Sequence, residues 1–293
     1  MSAGMDVTNI IAALDLPPGC QVDRRIPKTL LTEHGASTAA DKRAIADGIA
    51  LCRWVATIKP ETAAVSAYQD ADRDYGEIHV LVVSFHPQAK QDRLTTMLHR
   101  AVAYPIILLR ETVGDDSAHH VSVSLAHQRR SQAAAQAVVL DGEPVVAIIA
   151  SPRIPGSAEL HPDSAEPSAT RRSQGAPCVN AEDAAQSERC VAFCHALALS
   201  RQPRDSLYAL YQGWMDTVLA WQAAQVTGTF ALAPTPEGAT LRRAALVTCA
   251  RLRVELARLR TAVAKETQMA RRVDLNLAVQ RAEAALAAAR ANL

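Results

Sequence analysis

The C-terminal segment from Leu241 to Leu293 most constrains what this chain can fold into, because it has the pattern of a long amphipathic helix with an interruption in its middle. Before the interruption, apolar residues recur at alternating spacings of three and four, which places them on one stripe of a helix. They are Ala245, Cys249, Leu252, Leu256, Leu259 and Val263. The stripe resumes weakly after residue 276. The pattern predicts a long helix that pairs with itself, with the segment 206–226 or with another chain.

Composition narrows the classes of function. The chain has 293 residues and a formal net charge of +1, so no whole-protein field would draw it onto DNA or an anionic membrane, and any nucleic-acid contact depends on local patches. The six cysteines contain no Cys-x-x-Cys pair and are interpreted as reduced thiols. No apolar stretch reaches the roughly 20 residues that a membrane-spanning helix needs, and no signal segment is recognisable. A cytoplasmic location is expected.

The segment from Glu77 to Ile149 has the pattern of a sheet. Residues 77–85 are rich in β-branched side chains and predict a central strand, followed by an amphipathic helix over 88–102 and a second buried strand over 106–111. This order predicts a βαβ-like unit. Two further strands, over 120–127 and 138–149, close the domain, and the alternation of the first of them favours antiparallel pairing.

Helices are predicted on both sides of that sheet region in sequence. Helical spacing over 37–55 predicts a helix that packs on the sheet, and an aromatic-rich helix is predicted over 206–226. The predicted fold class is α+β, with an N-terminal mixed or antiparallel sheet with packed helices and a C-terminal helical hairpin. The predicted domains are 1–150 for the α/β part, 151–185 for a linker rich in Pro, Ser and Ala, and 186–293 for the helices.

No catalytic, cofactor or metal site is predicted. The sheet region offers Asp72, Asp74, Glu77 and Glu111, but no Glu-x-Lys or Asp-x-Lys pair that would complete a metal-dependent nuclease. The histidines are scattered, no Gly-x-Ser-x-Gly elbow occurs, and the 12 glycines form no phosphate-binding loop. A non-enzymatic role is therefore favoured.

Two small basic clusters stand out. Arg24, Arg25 and Lys28 lie on a segment that proline makes extended, and Arg271 with Arg272 lies within the interruption of the C-terminal helix. Either cluster could bind phosphate, or could pair with the acidic residue beside it. Both interpretations stay open at this point.

Four landmarks together resemble a known family. They are Arg25-Ile26-Pro27-Lys28, the junction 100–106, the pair Leu210-Tyr211 with Trp214 and the segment 227–230 after it, and the run Lys265-Glu266 to Asn276. With them the chain resembles the bacterial and archaeal domain-of-unknown-function family 4391 (DUF4391) over nearly its full length. The resemblance implies a genetic context of restriction or phage defence, beside DNA methyltransferases and superfamily 2 helicases.

The leading hypothesis is a non-enzymatic accessory or scaffold subunit of a DNA-modification or phage-defence assembly. Its C-terminal helices would bind a partner protein of the helicase or methyltransferase type, or a second copy of the chain. The residues expected to bind that partner are Leu252, Leu256, Leu259, Val263, Lys265, Glu266, Gln268, Arg271, Arg272, Val273 and Asn276. The alternative hypothesis is a nucleic-acid-binding or metal-dependent nuclease module that contacts nucleic acid through Arg24, Arg25 and Lys28.

Overall fold

The computed structural model describes residues 6–113, 119–131, 138–149 and 181–293. The strands within these ranges are β1 (Gln21–Arg25), β2 (Ile49–Ile58), β3 (Tyr68–Gln69), β4 (Asp74–Tyr75), β5 (Ile78–Phe85), β6 (Ile106–Val113), β7 (His119–Leu125), β8 (Gln128–Arg130), β9 (Val138–Leu140) and β10 (Val145–Ile149). The helices are α1 (Val7–Ala13), α2 (Lys28–Gly35), α3 (Ala39–Gly48), α4 (Pro60–Ala63), α5 (Gln91–Ala101), α6 (Ala181–Leu197), α7 (Leu207–Thr227), α8 (Pro236–Lys265) and α9 (Met269–Arg290). Single 3₁₀ turns occur at Pro18–Cys20 and Leu199–Arg201.

Six strands form one mixed sheet in the order β1-β2-β5-β6-β7-β10. β5 and β6 are parallel and are connected through α5, which confirms the predicted βαβ-like unit. The other neighbouring pairs are antiparallel. The chain therefore has an α+β fold, as its pattern predicts.

Helices cover both faces of this sheet. Side chains alternate between the two faces along each strand, so Leu81 and Val83 of β5 pack with residues of α2, α3 and α5. Val80 and Val82 point the other way and share a larger core with α1, α6 and α7. Because β5 is buried on both faces, it is the centre of the molecule.

The helix predicted over 37–55 is wrong in its second half. A capping box of Thr38 and Asp41 begins α3, but the helix ends at Gly48, and the chain continues as β2. A side chain at Gly48 would crowd the elements packed on it, since a Cβ atom would lie 2.6 Å from Cδ1 of Leu94 in α5 and 3.3 Å from Cβ of Ala89. The apolar residues after Gly48 fit a helical spacing, but pairing with both β1 and β5 makes them a strand.

The predicted aromatic helix is α7, and it packs on the sheet. Trp214 and Trp221 are buried, and their indole N–H groups donate to the carbonyls of Leu197 and Ile148 at 2.8 and 2.9 Å. α6 and α7 thus share one hydrophobic core with the sheet. The division into domains near 151–185 stays a prediction, and residues 150–180 lie outside the described ranges.

The last two helices form an antiparallel hairpin. α8 and α9 are joined by three residues, and a separate small core lies between them. None of the helices in the described ranges combines the length and the apolar character that crossing a membrane requires.

Candidate interaction surface on the C-terminal hairpin

The interruption predicted over 265–276 contains the turn of the hairpin, but the turn is limited to residues 266–268, and residues 269–276 already belong to α9. α8 ends at Lys265, and α9 begins at Met269 after Gln268 as its N-cap residue. The Glu266 carboxylate accepts a hydrogen bond from the Gln268 N–H at 2.8 Å. This bond satisfies one of the free donors near the start of α9, and the negative charge suits the positive end of the helix dipole. Glu266 and Gln268, two of the predicted partner-binding residues, therefore shape the turn itself.

The apolar stripe of α8 packs against α9 of the same chain. Leu252 and Leu256 are buried against small and aliphatic residues of α9, with Leu259 partly buried beside them. Val263 is half-buried. An ion pair between Arg260 and Glu283, 2.8 Å apart, lies at the side of this seam. α9 of the same chain therefore covers Leu252 and Leu256, which were predicted to bind a partner.

A second apolar row lies on the outer side of α9. Met269, Val273 and Leu277 are 75, 51 and 44% exposed, and their spacing of four places them on one face. At about 100° per residue, this face is opposite the one that carries Ala282 and Leu286 into the seam. Ala284 and Ala288 are also exposed and extend the row, with Gln280 between them and Leu277. We call these residues the outer row; Val273 alone of them was among the predicted partner-binding residues.

The hairpin is strongly basic. Residues 236–293 contain eleven Lys and Arg against five Asp and Glu, a formal charge of +6, while the other 235 residues carry twenty against twenty-five, or −5. The net charge of +1 therefore hides a separation of charge between the hairpin and the remainder. Lys265, Arg271, Arg272 and Asn276, which were predicted to bind a partner, are exposed around the turn.

The base of the hairpin is fixed to the body by arginines of α8. Arg242 donates from Nη1 to the Ala231 carbonyl at 2.7 Å and from Nε to the main-chain oxygen of Leu293 at 3.1 Å. Arg243 donates to Sδ of Met215 in α7. These bonds hold both ends of the hairpin near α7, which leaves the turn at the far end.

Two of the sequence landmarks contact each other. The Tyr211 hydroxyl donates toward the carbonyl of Ile106 at 2.8 Å and accepts from the N–H of Ala126 at 2.9 Å. Gln128 donates to the carbonyl of Val102 in the same junction at 3.1 Å. The 100–106 junction and the aromatic helix are thus one structural unit that attaches α7 to the sheet.

A comparison with models of protein families identifies the family of this chain. The model described as Domain of unknown function (DUF4391) matches residues 14–286, which is nearly the whole chain. The chain belongs to the DUF4391 family. The match includes the hairpin turn and most of α9 as well as the sheet. Searches of curated proteins and of solved structures find no match.

The N-terminal basic residues of this DUF4391 chain do not form one patch. Arg24 and Arg25 are exposed neighbours on the edge strand β1, where successive side chains point to opposite faces. Lys28 donates from Nζ to the Ala46 carbonyl at 2.8 Å, near the C-terminus of α3. Asp23 pairs with Arg53 at 3.7 Å. Of the three predicted phosphate contacts, Lys28 is thus engaged within the fold.

The carboxylates that the nuclease hypothesis would need have separate partners within the fold. Asp74 pairs with Arg130 at 3.0 Å, Glu77 with Lys59 at 3.2 Å, and Glu111 accepts from the Ser84 hydroxyl at 2.8 Å. In the part of the chain that the structure describes, no three His, Cys, Asp or Glu side chains are grouped so that they could hold a metal ion. The geometry thus offers the nuclease hypothesis no support.

Proposed function

We propose that this chain is a non-enzymatic accessory subunit that recruits a partner protein through the outer row of α9. The partner is a protein of the same DNA-modification or phage-defence assembly, of helicase or methyltransferase type, which is the context that the family resemblance implies. The body of the molecule holds the base of the hairpin and presents its turn and its outer face.

The observation that supports this proposal is the exposed apolar row on α9. The opposite face of α9 already packs against α8. Single exposed apolar residues are common on protein surfaces, but a row at spacings of three and four is the pattern of a helix that enters a groove of another protein. The outer row has this spacing at Met269, Val273 and Leu277, and again at Ala284 and Ala288 after the polar Gln280. The fold of the chain itself does not require these apolar side chains there.

The charge of the hairpin indicates what the partner surface looks like. Because residues 236–293 carry a formal +6, an apolar groove flanked by Asp and Glu would attract the hairpin and orient it. Arg271, Arg272 and Lys265 are exposed near the turn, so they would pair with acidic residues at the end of the groove that receives the turn. Apolar contacts would supply most of the affinity, and the charges would supply orientation and speed of association.

A pair of matched variants tests this proposal. Val273→Glu places a charge in the outer row, whereas Val254→Glu makes the same change on α8, where Val254 is 72% exposed and outside that row. Binding to the products of neighbouring genes would be measured by calorimetry. We expect Val273→Glu to weaken binding at least tenfold, because a carboxylate would be buried in an apolar groove, and Val254→Glu to bind as the native chain does. Equal affinities for the two variants would contradict the proposed face.

Nucleic-acid binding is the second candidate, and the basic hairpin is the observation that favours it. A complex held by phosphate contacts weakens steeply as salt rises, because neutralised phosphates release bound cations. Removing two charges with Arg271→Gln and Arg272→Gln would then reduce the salt dependence of DNA binding. A chain that binds no duplex or single-stranded DNA at low salt would end this candidate.

A further inference from the structure

A cavity lies where the hairpin meets the body of the molecule. Its volume is about 880 Å³, within the range of small-molecule sites. Three elements line it, namely β10 with the turn before it, the C-terminal half of α7, and α8 from Arg243 to Arg253. Among the described residues that line it, none belongs to α9, so the cavity is separate from the outer row.

Two exposed apolar side chains from different elements line this cavity. Ile148 of β10 is 60% exposed, and Val247 of α8 is 65% exposed. Leu219 and Leu246 extend the apolar lining on α7 and α8. A single exposed apolar residue is common, but two that line one cavity form a patch that an apolar ligand can cover. The cavity therefore favours a ligand with an apolar part.

The edge of the sheet beside this cavity is not open to an added strand. β10 is the last strand of the six-stranded sheet. The carbonyl of Val146 accepts from the Gln222 side chain at 2.6 Å, and that of Ile148 accepts from the Trp221 indole at 2.9 Å. A peptide that joined this edge as a strand would need the same carbonyls for its own N–H groups. These bonds therefore argue against a peptide strand as the occupant.

The α8 wall of the cavity is long and mostly apolar. Arg243 and Arg253 are ten residues apart on one helix, which separates them by about 15 Å along its axis. Between them, the lining includes Leu246, Val247 and Ala250. An extended hydrocarbon chain fits such a wall better than a compact ring system does.

Three of the four charged side chains that line the cavity are engaged or lie in the turn. Asp141 pairs with Arg73 at 2.6 Å, and Arg243 is bonded to α7 at the base of the hairpin. Glu143 is exposed in the turn before β10. It would oppose a ligand that carried a second negative charge near this turn.

The fourth charged side chain, Arg253, supplies unbalanced positive charge. It is exposed, and it makes no hydrogen bond or ion pair with another residue in the described ranges. On its other side Arg253 borders a groove that Arg260 and Arg290 also line. The one acid that lines this groove, Glu283, pairs with Arg260 at 2.8 Å. The Arg253 end of the cavity therefore attracts an anion.

We propose that this cavity binds a fatty acid. The acyl chain lies along the apolar wall between Arg243 and Arg253, and the carboxylate pairs with the Arg253 guanidinium, whose planar group suits a carboxylate. One negative charge and one extended apolar chain match the lining described above. This site is independent of the proposed recruitment of a partner through the outer row.

Octanoate is a soluble probe of this site, and 1-octanol is its uncharged counterpart. The full chain would be titrated with each, and the amide NMR signals of Ile148 and Ala250 would be followed. We expect saturable shifts with octanoate, with octanol binding about fivefold more weakly because it cannot pair with Arg253. Acetate, which has the carboxylate without the chain, should give no saturable shift. Equal binding of octanol and octanoate, saturable binding of acetate, or octanoate shifts that do not saturate would overturn the proposal.

Two matched pairs of exposed residues on α8 locate the ligand. Val247→Asp puts a carboxylate into the apolar wall and should weaken octanoate binding at least tenfold, whereas Val254→Asp lies outside the cavity and should bind as the native chain does. Arg253→Gln should weaken binding about threefold to fivefold, and Arg258→Gln, an exposed arginine outside the cavity, should not. Equal affinities within either pair would contradict the assigned position of the chain or of the carboxylate.

The outer-row variant separates this site from the proposed function. Val273→Glu should bind octanoate as the native chain does, because Val273 does not line the cavity. Loss of octanoate binding in Val273→Glu would place the ligand on α9 and overturn the assignment to the cavity.

Discussion

At the scale of single residues, the fold depends on two histidines that must stay neutral. His127 accepts from the Tyr75 hydroxyl at Nδ1, 2.5 Å away, and donates from Nε2 to the amide oxygen of Gln212 at 2.7 Å. Gln212 is oriented by its own donation to Asp216 at 2.8 Å, which fixes the histidine tautomer. His99 of α5 is fully buried against the sheet, and its Nε2 hydrogen-bonds the Ser124 hydroxyl of β7 at 2.8 Å. Protonation would disrupt either arrangement.

Stability should consequently fall as the pH falls. Burial lowers the pKa of His127 to about 4 and that of His99 to about 3, from an ordinary value of 6.5. The unfolded chain binds these protons below pH 6.5 and the folded chain does not, so stability is full above 6.5 and is lost toward pH 4. Urea unfolding at pH 7 and pH 5 should differ by about 2 kcal/mol for each histidine.

The variant His127→Gln separates this effect from other titrating groups. Glutamine can still bond Tyr75 and Gln212 but cannot take up a proton, so the loss of stability between pH 7 and pH 5 should shrink by about 2 kcal/mol. A native chain with the same free energy of unfolding at pH 7 and pH 5 would contradict the assignment of neutral histidines.

At the scale of elements, the sequence pattern predicted the strands and helices whose buried faces are evident from the spacing of their apolar residues. β5, α5 and β6 follow from uniform β-branched runs and one amphipathic helix, and α7 follows from its aromatic spacing. β2 was missed because its apolar residues also fit a helical spacing, and only pairing with β1 and β5 decides between the two. The hairpins β3–β4 and β8–β9 have strands of two or three residues, too short for a periodicity to be recognised.

The hairpin is the element whose packing is most directly testable. Leu252 is buried between α8 and α9, whereas Val254 is two residues away and exposed. Leu252→Ala should lower the free energy of unfolding by about 2–4 kcal/mol, since it leaves a cavity in a small core, while Val254→Ala should change it by less than about 0.5 kcal/mol. Chemical denaturation measures both. Similar small effects for the two variants would mean that the hairpin core contributes little to stability.

At the scale of the whole molecule, the sequence predicted a C-terminal helical hairpin but not which of its faces would be exposed. The polar run at 265–276 includes the turn at 266–268, but its residues from Met269 onward are helical. The pairing of α9 with α8 buries one face of α9 and leaves the outer row exposed on the other face. The sequence alone does not show this pairing, so it does not identify the outer row.

The measurement that tests the central claim most directly is the mass in solution by light-scattering chromatography. The intact 31.4 kDa chain would be measured alone and with the products of neighbouring genes, at low salt and at high salt. A complex through the outer row predicts a heavier species with a neighbouring protein that persists at high salt and is lost in Val273→Glu. A mass equal to that of one chain in every mixture would contradict the proposal, and a doubled mass for the chain alone would mean that the outer row pairs two copies instead.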